Sequence, residues 1–249
     1  MLELPEAERA RRQIERVLGR EIVSVDDTDS YVCRPHAPGE IAAAITGRTL
    51  TEAHRRGKFL WVETSDGGPD LGLHLGMAGS IVLDDHHAPN GWDRFALEFA
   101  GGGRMALRDK RRLGRAVIEP DFSHIGPDAG EVTAKEFRDR VGRGSAPIKA
   151  KLLDQGAIAG VGNLLADEVL WQAKVSPQAI AGEISRPRLN RLYEQLQASI
   201  ADAIAKGGVH TGVVIPARKG SGTCPRCDAP MTRATIGGRT TWWCPRCQR

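Results

Sequence analysis

Four cysteines near the carboxyl end constrain this chain most. Cys224-Pro-Arg-Cys227 is followed, after sixteen residues, by Cys244-Pro-Arg-Cys247, and two such short knuckles can close a tetrahedral thiolate site around one metal ion. Zinc fits that spacing best, with iron or paired disulfides as the rival readings. Four sulfur ligands leave no open coordination position, so the ion folds the tail and does not activate water. Residues 231–243, between the knuckles, read as a β-hairpin turning at Gly237-Gly238. That turn brings Arg239 to the tip, either as a phosphate contact or as a solvated arginine. The fifth cysteine, Cys33, stands alone, a usage that suits a reducing compartment better than a disulfide scaffold.

At 249 residues the chain is long enough for two or three compact units, each with its own core. The spacing of Ala7, Ala10, Ile14, Val17 and Leu18 predicts an amphipathic helix over residues 5–18. Short alternating runs then predict strands at 22–25, 58–64, 71–74, 80–83, 95–99, 105–108 and 116–119, with one helix at 38–45 between the first two. Beyond the Pro127, Asp128 and Gly130 linker the pattern turns helical, at 133–142, 148–155, 163–173 and 186–206. The expected fold class is α+β. An N-terminal β-sandwich flanked by helices occupies residues 1–122, a helical domain 131–210 and the cysteine module 217–249.

Net charge is only +4, so the distribution of charge says more than its sum. Arg104, Arg108, Lys110, Arg111, Arg112 and Arg115 face a single Asp109 within twelve residues, a local positive stripe suited to a polyanion. No apolar run reaches the roughly 20 residues of a membrane span, and the acidic first turns lack the form of a signal peptide. A cytoplasmic, nucleoid-associated location is therefore expected. A glycine-rich turn at 156–162 opens a helix at Asn163, whose amide either caps that helix or donates to a phosphate oxygen.

The run from Leu152 to Leu170, with Gly160-Val-Gly-Asn163-Leu-Leu-Ala-Asp at its centre, resembles the helix-two-turn-helix of the Fpg/Nei family of formamidopyrimidine-DNA glycosylases. Other landmarks follow the same order. Met1-Leu-Glu-Leu-Pro-Glu-Ala-Glu8 resembles the family's amino-terminal motif and Arg56-Gly-Lys-Phe-Leu60 its lysine strand. His74-Leu-Gly-Met-Ala-Gly79 and Asp109-Lys-Arg-Arg-Leu-Gly114 resemble its intercalation loops. The resemblance implies base-excision repair of damaged, double-stranded DNA by a monomer carrying one structural zinc. Base flipping leaves a hole in the stack, which Met77 and Arg111 would fill together with Leu113, standing where the family usually has Phe. His74, Arg111, Arg112, Asn163 and Arg239 would meet phosphates or the orphaned strand, and Lys58 would lie near the sugar as an acid or clamp.

One position departs from that pattern. The family's nucleophile is a proline amine exposed by removal of the initiator Met, and Leu2 stands at that place. A large second residue blocks that removal, so Met1 is expected to stay, with its primary amine one residue, about 3.5 Å, further out. Glu3, with Glu6 beside it, either serves as a general base on water or only complements the dipole of its own helix. The resulting expectation is a glycosylase with a weak or absent lyase step. The alternatives are a non-catalytic lesion-binding protein and a zinc-ribbon adaptor for RNA or protein. The short link at 207–218 points away from 8-oxoguanine and toward a Nei-like lesion range.

Overall fold

A computed structural model describes residues 2–84 and 90–249, so Met1, whose amine the sequence brings into question, lies outside the described residues. Two compact units emerge. Ala7–Ser123 with Leu2 form the first, and His124–Arg249 with Glu3–Glu6 form the second.

The first unit contains most of helix α1 (Leu4–Glu15), then β1 (Ile22–Asp26), α2 (Glu40–Ile45), β2 (Leu50–Arg56), β3 (Phe59–Thr64), β4 (Leu71–His74), β5 (Ser80–Asp84), β6 (Asp93–Phe99), β7 (Arg104–Arg108) and β8 (Arg115–Ile118). These strands make two antiparallel four-stranded sheets, ordered β1-β6-β7-β5 and β2-β3-β4-β8. Alternation sends Leu60, Val62, Leu71 and Leu73 from one sheet and Phe95, Leu97, Met105 and Leu107 from the other into a common core, joined by Ala7, Ala10 and Ile14 of α1. Each fully buried side chain of this size contributes about 1.5–3 kcal/mol.

Strand β2 was not expected from the sequence. Its Leu-Thr-Glu-Ala-His-Arg-Arg run buries only Leu50 and Ala53, and a register shift between them breaks the alternation. Conversely, Arg104 and Arg108 do not contribute to an exposed positive stripe. Both hold Asp93, at 2.5 and 2.7 Å, and Arg104 is buried.

In the second unit, α3 (Ala134–Val141), α4 (Ile148–Leu153), α5 (Asn163–Gln172) and α6 (Arg186–Lys206) surround a core of Phe137, Ile148, Leu152, Leu165, Val169, Leu192 and Leu196. Helix α3 starts at a capping box in which Thr133 and Glu136 satisfy each other's backbone N–H. Helix α5 is buried nearly all round, Asp167 and Glu168 included. Gln155 staples the turn between α4 and α5, accepting from Gly160 N and donating to the Leu153 and Val161 carbonyls. The chain ends in the hairpin β9 (Thr232–Ile236) and β10 (Arg239–Trp243), whose turn glycines have φ of 58° and 71°. Among the described residues no helix is long and apolar enough to cross a membrane.

Candidate nucleic-acid interface

In the first unit two loops interlock. Asp109, 1 % exposed, accepts the Arg111 N–H on Oδ1 and the Leu113 and Gly114 N–H groups on Oδ2, all within 2.9 Å. One carboxylate thereby sets the 109–114 loop. Gly76, at φ 63°, lies so close to that loop that a Cβ on it would stand 2.5 Å from the Leu113 carbonyl carbon. Glycine is required there on both counts, and Met77 follows directly after this approach to Leu113. Both side chains point outward, 40 % and 36 % exposed, which is the shape of an apolar wedge rather than of a core. The Arg111 side chain has no hydrogen bond or ion pair among the described residues. Arg112, at φ 55°, pairs with Asp29 at 2.7 Å, so its charge is already partly answered within the protein.

His74 ends β4. Its Nδ1 accepts the Gly76 N–H at 3.1 Å, which leaves Nε2 as the protonated nitrogen and a donor. Burial, and then the nearby charge of Lys58, lower the imidazole pKa below its ordinary value, so the ring offers this donor in its neutral form. Lys58 is half-buried in the tight turn that joins β2 to β3, one residue before the strand predicted to contain it.

In the second unit the amino-terminal carboxylates have definite partners. Glu3 is fully buried, and its two oxygens accept the N–H groups of Gly162, Leu164 and Leu165 at 2.8–3.0 Å. It caps α5, not the helix it precedes, because it supplies an anion where α5 leaves its first N–H groups unpaired. A Cβ on Gly162 would lie 2.3 Å from the Glu3 carboxyl carbon, so that glycine makes room for the cap. Glu6 accepts from Glu3 N and Val209 N, and Leu4 N donates to the Gly160 carbonyl. Leu2 is half-buried against the core of the first unit.

Asn163 does not cap α5, whose N-cap is Gly162. Its amide instead accepts from Lys149 Nζ at 2.7 Å and donates to the Thr240 carbonyl at 3.0 Å, which brings it to the residue beside Arg239. Arg239 is exposed at the hairpin tip. Lys149, which no motif in the sequence marks, completes the cluster. It is fully buried, and besides Asn163 it donates to Asp167 Oδ1 at 2.5 Å and Thr241 Oγ1 at 2.8 Å. Arg218 holds the other oxygen of Asp167 at 2.8 Å. The available signal was a lysine three residues before Leu152, on the buried face of α4.

The Sγ atoms of Cys224, Cys227, Cys244 and Cys247 all lie within 4.8 Å of one another, with contacts of 3.5 and 4.0 Å. A tetrahedral Zn–S distance near 2.3 Å gives edges of about 3.8 Å, so the four thiolates fit one structural zinc. The indole N–H of Trp171 on α5 donates to Cys224 Sγ at 3.3 Å, and Arg226 stacks on the same ring at 3.9 Å. These contacts fix the finger to the helices.

A β-sandwich bearing an apolar wedge beside Arg111, and a helix-turn-helix unit braced by a four-thiolate finger, define the class of zinc-finger nucleic-acid-binding proteins with a helix-two-turn-helix. Three family models match in succession. They are the formamidopyrimidine-DNA glycosylase N-terminal domain over residues 1–116, its H2TH domain over 125–214, and the zinc finger found in FPG and IleRS over 222–249. A formamidopyrimidine-DNA glycosylase of Nocardioides is 33 % identical across all of this chain and 94 % of its own length; one of Solibacter usitatus is 30 % identical over the whole of both. The Lactococcus lactis Fpg in complex with abasic-site DNA superposes with a TM-score of 0.86 at 29 % identity, covering 99 % of each chain. The chain belongs to the formamidopyrimidine-DNA glycosylase family.

Proposed function

We propose that this protein excises damaged bases from double-stranded DNA by hydrolysing the N-glycosidic bond, with the strand-cleaving lyase step weak or absent. Family membership makes it a DNA glycosylase of base-excision repair, and structural neighbours hold abasic, 8-oxo-G and Fapy-dG DNA. The observation that carries the hydrolytic reading is the amino terminus. Leu2 has no ring amine to offer, while Glu3 is held by three N–H groups of α5. Its carboxylate is the group that serves a water or the sugar as general base. Glu6, which accepts two backbone N–H groups, is a positioning residue in this reading. Lys58 clamps near the sugar, and His74, Arg111, Asn163 and Arg239 meet the phosphates or the orphaned strand. Arg112 contributes less, because Asp29 already holds it.

The short 207–218 link consists of two single 3₁₀ turns and their joins. It offers little chain to close over an extruded purine, which supports a Nei-like lesion range. The protein acts as a monomer, in the compartment that contains chromosomal DNA.

Duplexes carrying an oxidised pyrimidine, a formamidopyrimidine or an abasic site, incubated with and without borohydride, test this proposal. Base release without a trapped covalent adduct is the expected result. A trapped adduct on the unmodified chain refutes the hydrolytic route, and lesion-selective binding without any product makes the chain a lesion-binding protein instead of an enzyme.

A further inference from the structure

Six large apolar side chains stand exposed among the described residues, and four of them border the 109–114 loop. Met77 and Leu113 are the wedge. The other two are aromatic: Tyr31, 47 % exposed, and Trp92, 44 % exposed. Single exposed apolar side chains are ordinary, but four gathered about one loop mark a contact surface.

Each ring is tied to one end of the loop and surrounded by cations. The Trp92 carbonyl accepts the Asp109 N–H at 2.8 Å, and Arg94 Nε donates to the Asp109 carbonyl at 2.9 Å. Lys110 Nζ stands 5.0 Å and the Arg94 guanidinium 5.7 Å from the centre of the indole. At the other end, the guanidinium groups of Arg34, Arg115 and Arg112 lie 3.8, 5.3 and 5.6 Å from the centre of the Tyr31 ring. Asp29 fixes this arrangement by accepting the Tyr31 and Val32 N–H groups while it pairs with Arg112. Five cations therefore lie over the two rings, with the Arg34 guanidinium stacked on Tyr31, and Asp29 is the carboxylate that answers Arg112 and, at 3.7 Å, Arg94.

An exposed ring with guanidinium and ammonium groups lying over it is complementary to a polyanion that carries planar heterocycles, which can stack on the ring or on a guanidinium plane laid against it. Met77 and Leu113 part the bases but give them only aliphatic contact. We propose that Tyr31 and Trp92 are two further DNA-contacting residues, stacking platforms at the two ends of the wedge loop that receive bases unstacked beside the lesion. The inference rests on the reading of the chain as a damaged-DNA glycosylase, and it assigns these rings to positioning of the DNA, apart from bond cleavage.

The test uses the zinc-loaded full chain, with a duplex containing a tetrahydrofuran abasic analogue and the matching undamaged duplex. Tyr31→Leu and Trp92→Leu keep apolar volume but remove the rings, and each is expected to weaken binding of the analogue duplex about tenfold, within the range for loss of one base–aromatic stack. Tyr31→Phe and Trp92→Phe keep a ring and are expected to bind within about threefold of the parent. Undamaged duplex, whose bases stay stacked, is affected less. Independently, DNA binding should quench indole emission in the parent more than in Trp92→Phe. Leucine variants that bind the analogue within about twofold of the parent, or equal quenching with and without Trp92, overturn the inference and leave the glycosylase reading standing. A parent chain that shows no preference for the analogue duplex refutes that reading, and the inference with it.

Discussion

Lys149 is the most consequential side chain that does not face the solvent. Its ammonium joins α4 to Asn163 and Asp167 of α5 and to Thr241 of the finger hairpin, at 2.5–2.8 Å and with no exposure. Lys149→Met keeps the volume and removes the charge, which leaves Asp167 buried with Arg218 as its remaining counter-ion. Deleting one partner of a buried pair costs about 3–5 kcal/mol. Arg218 puts this case at the low end, about 3 kcal/mol, or about 10–15 °C in melting temperature for a unit of this size. Thermal and denaturant unfolding of the zinc-loaded protein measure the loss. The double variant Lys149→Met with Asp167→Asn should recover on the order of 2 kcal/mol, since it removes the uncompensated carboxylate as well.

A single variant melting within 2 °C of the parent would show that the ammonium is not what compensates Asp167, and the reasoning would fail.

Glu3→Gln places an amide N–H₂ against at least one of three backbone donors. It should cost about 1–3 kcal/mol in stability and lower base release more than tenfold while duplex affinity stays within about threefold; unchanged turnover would remove Glu3 from the chemistry. Chelating the zinc should free Trp171 from Cys224, shift indole emission to the red and weaken DNA binding at least tenfold, and an unchanged affinity would separate the finger from the DNA. Glu8 is buried, which opposes its charge, but hydrogen bonds from Arg11, Arg12 and Arg55 prevail and lower its pKa from 4.5 to about 2. Its contribution, on the order of 1 kcal/mol after solvent screening, is fully present above pH 4.5 and lost as pH falls through about 2. Acid unfolding of Glu8→Gln should therefore be flatter than that of the parent across that window. Leu2→Pro, once shown by mass spectrometry to have lost Met1, should yield a borohydride-trapped adduct with abasic DNA, and its failure to do so would mean that more than the nucleophile has changed.

Where a single residue type dictates local geometry, the sequence was legible. The cysteine knuckles, the Gly237-Gly238 turn and the bounds of α6 follow from ligand number, left-handed backbone and apolar period, and the structure places each where those predict. Features that depend on distant partners were not legible. Arg104 and Arg108 looked like free positive charge because Asp93, which neutralises both, sits eleven or more residues away in the chain. Asn163 looked like a cap because the true one, Glu3, precedes the α5 backbone it caps by about 160 residues. Nothing in the sequence singled out Lys149 or Asp167, and only packing shows that each is the other's reason for being buried.

The amino-terminal segment is held in place by the residues that follow Leu2. Glu3, Leu4 and Glu6 hold that segment through six backbone hydrogen bonds, five of which run to the turn before α5, to α5 itself and to Val209. None of them uses the side chain or the N–H of residue 2. The hydrogen bonding of the segment therefore rests on Glu3, Leu4 and Glu6, while Leu2 adds apolar packing against the core of the first unit. Gly162 shows the same separation from the other side, because its missing Cβ is occupied by Glu3, so the cap and the turn specify each other whatever stands at position 2. A chain selected only to fold and bind DNA needs the cap, the wedge and the finger. Glu3 is the residue at which the folding requirement and the proposed chemistry coincide, so the ratio of turnover to binding in Glu3→Gln, more than any stability measurement, decides whether Glu3 takes part in the reaction.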